Sequence, residues 1–319
     1  MFKDRERLRQ INYFKRPEFA GALLPDTEYK LLPGKRHLNF SPVIAKRAVQ
    51  YFEGTRNISW HPQSDHCLSS QGCCLNFLMP LADRPYELGK VLSHALGLDG
   101  VEPLPIDEGY GDETSYVAFE WAGAGNLLDE ARGRGTPKRG SNSTSVDAMV
   151  HFLHKGRKHI ALIEWKYAEN DTGPVEVGTY ETRLKRYGAR MFCPDGPLKQ
   201  NASLTLHDFL YHPFYQLLRQ QILAWQMQRM AESNAERVMT LHISPRPNSM
   251  IHRVSSPRFM GSGHDAYEVF RSLLTNPEDF VTASTEDVFL PILKEYQEEP
   301  WAAYLLDRYQ FLTDPQAAP

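Results

Sequence analysis

The stretch Ile160-Ala161-Leu162-Ile163-Glu164-Trp165-Lys166-Tyr167 carries the strongest structural signal in this chain. Its four consecutive apolar residues predict a buried strand, and two opposite charges follow at the end of that strand. Because side chains alternate along a strand, Glu164 and Lys166 face one side and Trp165 faces the other. Burying a carboxylate and an ammonium group is costly unless they are paired, hydrated or bound to a metal ion. The end of this strand is therefore a candidate functional site.

A second strand is predicted just before it, in the segment Val146-Asp147-Ala148-Met149-Val150-His151-Phe152. Between the two strands, Gly156-Arg157 suits a two-residue type II′ turn, in which glycine comes first. This turn places Asp147 opposite Lys166 and makes Glu164 the diagonal neighbour of Asp147 on the same face. A three-residue loop would shift the register by one residue and turn Asp147 to the other face. The predicted site therefore depends on the length of the loop.

An Asp in one strand, followed in the next by an apolar run that ends in Glu-x-Lys, resembles the PD-(D/E)xK nuclease superfamily. Here the residues are Asp147, Glu164 and Lys166, and Val146 stands at the often degenerate Pro position. The resemblance covers roughly residues 110 to 245 and implies a metal-dependent phosphodiesterase. It implies that Asp147 and Glu164 bind Mg²⁺, with Mn²⁺ as an alternative, and that Lys166 positions or activates the attacking water.

Further segments are similar to those of an uncharacterised bacterial group of restriction-endonuclease-like proteins. They are Ser69-Ser70-Gln71, Lys138-Arg139-Gly140 with Thr144-Ser145-Val146-Asp147, and Tyr215-Gln216-Leu217-Leu218-Arg219-Gln220-Gln221.

The short motif alone is weakly specific, because Pro25-Asp26-Thr27-Glu28-Tyr29-Lys30 contains the same letters. There the two acids are not separated by a hairpin, and no apolar strand precedes them, so we do not treat that segment as a site. For Asp147, Glu164 and Lys166 the alternative interpretation is an exposed edge hairpin with a solvated ion pair. The corresponding alternative function is a catalytically inactive nucleic-acid-binding or assembly module of the same fold.

Length and composition fit a globular protein that can bury a sizeable core, since 41% of its 319 residues are hydrophobic and 24% are charged. No apolar stretch is long enough to cross a bilayer, and the first residues lack the apolar segment of a secretory signal. Four cysteines, with Cys73 and Cys74 adjacent, do not form a disulfide framework. We expect a cytoplasmic protein without a membrane partner.

The net charge of −3 gives no overall signature of nucleic-acid binding, so a nuclease would need a local basic surface. Two basic clusters flank the predicted hairpin, and solvated loop charge is the alternative interpretation of each. The first contains Arg132, Arg134, Lys138 and Arg139, and the second contains Arg183, Lys185, Arg186 and Arg190. The expected partner is DNA, and a homodimer with a second copy of the chain is left open.

We expect a single α/β domain with a restriction-endonuclease-like core: a mixed four-stranded sheet flanked by helices. Residues 1–110 would form an N-terminal arm and helices, 111–245 the catalytic core, and 246–319 C-terminal helices. The core strands are predicted at 115–121, in the hairpin and at 237–243, and a long helix at 212–230. The resulting order of helix, three strands, helix and strand is that of the nuclease core.

Several other polar residues are secondary candidates. Glu120, near the end of the first core strand, is a candidate catalytic acid beside the metal, and Glu130 is its alternative. Gln216 and Gln220 lie four apart on the long helix, so they share one side of it. We assign Gln220 and the adjacent Arg219 to nucleic-acid binding, with a plain solvated helix face as the alternative.

A zinc site is the less favoured interpretation of His61, His66 and the cysteines at 67, 73 and 74, because their spacing matches no closed zinc pattern. Adjacent Cys73 and Cys74, beside large apolar residues, are expected to be small buried side chains.

Overall fold

The protein is described here by a computed structural model covering residues 1–54, 56, 58–107, 114–131, 138–141, 143–176, 178, 180–261 and 265–314. Six strands in this part of the chain form one mixed sheet. They are β1 (Glu102–Leu104), β2 (Ala118–Trp121), β3 (Val146–His154), β4 (Arg157–Trp165), β5 (Arg237–Ser244) and β6 (Phe280–Ser284). The prediction of four strands is therefore wrong, although a mixed sheet flanked by helices is compatible with a restriction-endonuclease-like fold.

The strand order is β1-β3-β4-β5-β6, and β2 also pairs with β3. β1 and β2 both run antiparallel to β3, β1 along residues 151–153 and β2 along residues 146–149. β4 is antiparallel to β3, whereas β5 and β6 add parallel strands on the other side. The buried apolar run of β4 thus lies in the middle of the sheet, which explains its composition.

The hairpin turn differs from the predicted one. His154 pairs with Arg157, so the two turn residues are Lys155 and Gly156, with φ angles of 51° and 76°. Two positive φ angles define a type I′ turn rather than type II′, and this turn matches the twist of the flanking strands. The predicted pairing of Asp147 with Lys166 is wrong by two residues. Because side chains alternate with a period of two, a slip of two residues keeps every side chain on its predicted face.

Helices cover both faces of the sheet. Among the described residues, ten helices are α-helical: α1 (Phe2–Phe14), α2 (Ala45–Glu53), α3 (Ser70–Leu78), α4 (Pro85–Leu96), α5 (Tyr180–Arg183), α6 (Ala189–Met191), α7 (Phe214–Arg229), α8 (Ala266–Leu273), α9 (Thr285–Glu295) and α10 (Pro300–Arg308). A π-helical turn at Leu184–Gly188 joins α5 to α6. Short 3₁₀ helices are found at Pro17–Phe19, Arg36–Asn39, Met79–Leu81, Leu206–Phe209, Glu232–Asn234, Ser249–His252, Pro277–Asp279 and Gln310–Thr313. Among the described helices, none has both the length and the apolar character needed to span a membrane.

One face of the sheet packs against α3, α4, α9 and α10, and the other packs against α7 and α8. Trp165 of β4 lies on the first face, where its ring centroid is 5.0 Å from that of Phe77 and 5.5 Å from that of Phe289. Cys73 and Cys74 are buried in the same cluster, as the sequence indicated. The helix α7 supplies most of the second face and carries Gln216 and Gln220 toward the end of β4.

The first 40 residues contain a helix that the sequence did not predict. The buried side of α1 includes Phe2, Glu6, Gln10 and Phe14, which lie four residues apart. Two of these four are polar, so the apolar period is broken in the sequence. Glu6 accepts a 2.8 Å hydrogen bond from the hydroxyl of Tyr167. This bond offsets the cost of burying the polar side chains of α1.

Candidate active site

Three carboxylates lie in one row across β2, β3 and β4. The pairs Phe119 with Ala148 and Trp121 with Val146 place Glu120 across from Asp147, and the pair Ala148 with Ile163 places Asp147 across from Glu164. Glu120 has a left-handed φ of 54°, which is unusual inside a strand for a residue with a side chain. Together with Lys166, these three acids line a cavity of about 530 Å³ at the end of the sheet.

Glu164 and Lys166 form an ion pair that is held from α7. The Nζ of Lys166 lies 2.8 Å from Oε1 of Glu164 and donates a hydrogen bond of 2.7 Å to Oε1 of Gln216. The amide nitrogen of Gln216 donates to the same Glu164 oxygen at 2.6 Å, and that of Gln220 donates to the other oxygen at 2.5 Å. Both glutamines therefore orient Glu164, and the alternative of a solvated helix face is wrong.

Lys166 is held as an ammonium group. Burial by itself lowers the pKa of Lys166, but the charges of Glu164, Glu169 and Asp147 and the hydrogen bond that Lys166 donates to Glu164 outweigh burial, so the pKa is raised. At neutral pH this side chain acts as a fixed positive charge and a hydrogen-bond donor, not as a base.

Burial acts on Asp147 and Glu120 in the opposite direction, because it raises the pKa of a carboxyl group. Burial, followed by the charges of Glu164 and Glu120, raises the pKa of Asp147 well above its usual range, although its Oδ2 accepts a 2.7 Å hydrogen bond from the backbone N–H of Trp165. Burial also raises the pKa of Glu120 to about 7, against hydrogen bonds from Gln71 at 2.5 Å and Ser145 at 3.2 Å. The cavity thus brings three acids together, and burial makes their charged forms costly unless a cation lies beside them.

Such a donor set suits a hard divalent cation. In the described part of the chain, no group of three or more His, Cys, Asp or Glu side chains is arranged to hold a metal ion. Mg²⁺ does not require one, because it commonly binds through one or two carboxylates and completes its shell with water and substrate phosphates. Among the described contacts, Oδ1 of Asp147 accepts no hydrogen bond, which leaves it free to bind a cation beside Glu164.

Comparison with known proteins gives one match. The family model described as "Restriction Endonuclease associating with ARP" matches residues 9–310. The chain belongs to this family. No curated protein and no solved structure gave a match.

The basic residues predicted to bind DNA have different surroundings in this restriction-endonuclease-like protein. Arg134, with Arg132, lies outside the described residues. Lys138 is exposed and Arg186 is partly exposed, and both remain predictions. The guanidinium of Arg139 instead donates to the backbone oxygens of Phe119 and Glu120 and, at 2.8 Å, to the hydroxyl of Tyr51. Arg139 therefore braces the strand that carries Glu120.

Arg219 and Gln220 also have internal partners. Arg219 donates to Thr144 at 2.9 Å and lies 3.5 Å from Glu130, and Gln220 is 1% exposed against Glu164. These contacts do not leave the two side chains free on a surface for DNA.

Of the two alternative acids, Glu120 lines the cavity with Asp147, whereas Glu130 is occupied elsewhere. Glu130 accepts hydrogen bonds from Thr144 and from the hydroxyl of Tyr187. Gln71 and Ser145, which belong to the segments similar to restriction-endonuclease-like proteins, also line the cavity. Lys3, Glu169 and Asp171 line it as well, and the sequence analysis did not single them out. Glu169 and Asp171 gave a usable signal, because they follow Lys166 by three and five residues, whereas Lys3 is remote in sequence.

Proposed function

We propose that this chain is a metal-dependent nuclease of the PD-(D/E)xK type that hydrolyses DNA phosphodiester bonds. The observation that supports it most is the convergence of Asp147, Glu164 and Lys166 on one cavity, at the positions that the sequence motif predicts. The family is described as a restriction endonuclease, which favours DNA as the substrate. Asp147 and Glu164 would hold Mg²⁺ or Mn²⁺, which would activate water and offset charge on the scissile phosphate.

Lys166 would contribute as a cation. Its ammonium group is oriented by Glu164 and Gln216, so it can donate a hydrogen bond to a phosphate oxygen without rearranging. Because its pKa is raised, it does not take the proton from the attacking water. Glu120 lines the same cavity and lies across from Asp147, so we assign it as the acceptor of that proton. In this scheme Lys166 orients and stabilises, and Glu120 accepts the proton.

The test is cleavage of plasmid DNA and of labelled oligonucleotides with Mg²⁺ or Mn²⁺, by the wild type and by the variants Glu164→Ala and Lys166→Ala. We expect each substitution to reduce the cleavage rate by about 100-fold or more, as is typical when one preorganised electrostatic contact is removed. Glu236→Ala and Lys155→Ala, which change exposed residues of the same types, serve as matched controls. Activity that survives in both active-site variants would reject the assignment.

An inactive nucleic-acid-binding module is the second candidate function, and one observation favours it. Glu164 already has partners on both oxygens, namely Lys166, Gln216 and Gln220. A metal ion must compete with these hydrogen bonds. Calorimetric titration with Mg²⁺ and Mn²⁺ separates the two functions: a nuclease binds metal and loses that binding in Glu164→Ala, whereas a module binds DNA without binding metal.

A further inference from the structure

Basic residues from the N-terminal part of the chain lie beside the candidate cavity, and they belong to neither predicted DNA-binding cluster. Lys3 of α1, together with His61 and His66, lines the same cavity as Asp147 and Glu164. Two more cations, Arg7 and Lys30, lie around His66. We call Lys3, Arg7 and Lys30 the N-terminal basic patch.

The patch is held in place by a short chain of contacts. Lys30 pairs with His66 in an isolated β-bridge, which brings the two backbones together. The ring of Tyr29 lies 4.9 Å from the ring of His66, and the guanidinium carbon of Arg7 lies 4.9 Å from the centre of the Tyr29 ring. The side chains of Arg7, Tyr29, Lys30 and His66 are all partly buried, which restricts their positions.

Lys3 extends the patch along the cavity toward the catalytic strand. Its Nζ donates a 2.7 Å hydrogen bond to Oδ1 of Asn170. Asn170 follows Glu169, which lines the cavity and whose charge acts on Lys166. The patch therefore extends from Lys3, which lines the cavity beside Asn170, to Lys30, which is bridged to the cavity residue His66.

In the part of the chain that the structure describes, these three cations form no ion pair. Among the described ion pairs, none involves Lys3, Arg7 or Lys30, whereas other basic residues of the same region are neutralised: Arg9 by Glu6 and Asp314, Lys15 by Glu28, and Arg16 by Asp307. The Nε of Arg7 is buried and has no hydrogen-bond partner in the described part of the chain. Burial, and then the charges of Lys30, Arg7 and Lys3, lower the pKa of His66 to about 4, so all three cations act on the same imidazole ring.

Three cations without a described ion pair lie close together beside an acidic cavity. They repel one another, and an anionic ligand would offset this repulsion. Phosphates of a nucleic-acid backbone fit this pattern, because they are regularly spaced anions that accept hydrogen bonds from Lys and Arg. The acidic cavity itself repels such a backbone, so a hydrolase that cuts DNA here needs cations close by to hold the strand.

We propose that the N-terminal basic patch, Lys3, Arg7 and Lys30, binds the phosphate backbone of DNA next to the scissile bond. The proposal rests on the nuclease function proposed above, since it assigns the patch to the substrate of the same cavity. It also gives α1 a role in substrate binding in addition to its packing against the core.

The experiment measures binding without cleavage. A fluorescein-labelled DNA duplex is titrated with the full-length protein in EDTA, and anisotropy gives the affinity at several salt concentrations. We expect the triple variant Lys3→Gln, Arg7→Gln and Lys30→Gln to bind about 10- to 100-fold more weakly at 0.1 M salt. The slope of log K against log salt should decrease by about 2 to 3, because each lost phosphate contact releases about one counterion fewer.

Two further variants make the result specific. Lys155→Gln, Lys158→Gln and Lys294→Gln remove the same charge from exposed positions on the hairpin tip and α9, and this control should bind nearly as the wild type. Lys3→Arg, Arg7→Lys and Lys30→Arg keep the charge, and this variant should restore most of the affinity. Restored binding shows that the triple variant lost phosphate contacts rather than its fold.

Equal affinity of the triple variant and the charge-matched control would overturn the proposal, whether or not the protein cleaves DNA. Stronger binding of an RNA strand of the same sequence, with the same loss in the triple variant, would overturn the assignment to DNA. If the wild type cleaves nothing in Mg²⁺ or Mn²⁺ but the triple variant still loses DNA binding, the nuclease function fails and the patch stands.

Discussion

At the scale of single residues, the site brings together buried ionisable side chains that are only partly paired. Glu120, Asp147 and Glu164 occupy one row across three strands, and only Lys166 forms an ion pair with one of them. Burial, together with the charges of neighbouring acids, raises the pKa of Asp147 and of Glu120, and the carboxylates around Lys166 hold it as a cation. In the proposed mechanism, Lys166 donates hydrogen bonds and Glu120 accepts the proton.

Glu120 makes this charge balance measurable as a pH dependence of stability. Its pKa of about 7 in the folded protein exceeds the ordinary value of 4.5, so the folded state keeps a proton that the unfolded state releases. This acid therefore reduces stability as pH rises from about 4.5 to about 7, and the cost persists at higher pH. In EDTA, Glu120→Gln should raise the Tm at pH 8 and change it little at pH 4.5.

Thermal unfolding followed by circular dichroism at both pH values measures the effect. Glu236→Gln, at an exposed position, is the control and should show no such difference. An equal change of Tm at the two pH values would contradict the assigned pKa.

At the scale of secondary structure elements, the β3–β4 hairpin aligns Asp147 with Glu164. Its type I′ turn needs left-handed φ angles at both Lys155 and Gly156. Lys155→Asn should stabilise the protein by about 0.5 to 1 kcal/mol, because Asn tolerates this conformation better than Lys. Gly156→Val should destabilise it by about 1 to 3 kcal/mol, because a β-branched residue is strained there.

Urea denaturation gives both free energies, and neither variant should change metal affinity, since the turn lies at the opposite end of the strands from Asp147. A type II′ turn at Gly156 and Arg157 would instead predict that Lys155→Asn has no stabilising effect.

The hairpin also shows what the sequence could predict. The apolar run 160–163 and the alternation of Glu164 and Lys166 placed both charges on the correct face, because these signals are local. The predicted register was wrong by two residues. Glycine can be the first residue of a type II′ turn or the second residue of a type I′ turn, so the sequence did not show whether Arg157 or Lys155 shares the turn with Gly156. Because the register error was two residues, Asp147, Glu164 and Lys166 still lie on the predicted face of the sheet.

Other misses arose from long-range packing. β1 contains Pro103 and pairs only at the edge of β3, so its sequence resembled a connecting loop. β6 was not predicted from the sequence, because only Phe280 of its five residues is fully buried. The roles of Gln216 and Gln220 depend on how α7 crosses the end of β4, which no local pattern encodes.

At the scale of the whole molecule, the sheet takes strands from all three predicted segments: β1 from residues 1–110, β2 to β5 from 111–245, and β6 from 246–319. Buried Arg308 of α10 also donates to Gln10 of α1 at 3.0 Å and to the backbone oxygen of Asn39 at 2.6 Å. We therefore propose that the chain folds as a single domain.

A single domain should unfold in one cooperative transition. Far-UV circular dichroism and tryptophan fluorescence should give coincident urea transitions in the wild type. Leu293→Ala, which opens a cavity at a fully buried position of α9, should shift both curves together, by about 2 to 5 kcal/mol. Two separated transitions, with only one of them shifted, would show that the C-terminal helices fold independently.

The most direct test of the central claim is the rate at which supercoiled plasmid DNA is nicked, compared between the wild type and Asp147→Asn. Asn keeps the shape of the side chain but removes the negative charge that a metal ion requires. We predict nicking by the wild type in Mg²⁺, none in EDTA, and a rate lower by about 100-fold or more in Asp147→Asn at an unchanged fold. Nicking that continues in EDTA, or at the wild-type rate in Asp147→Asn, would contradict the account.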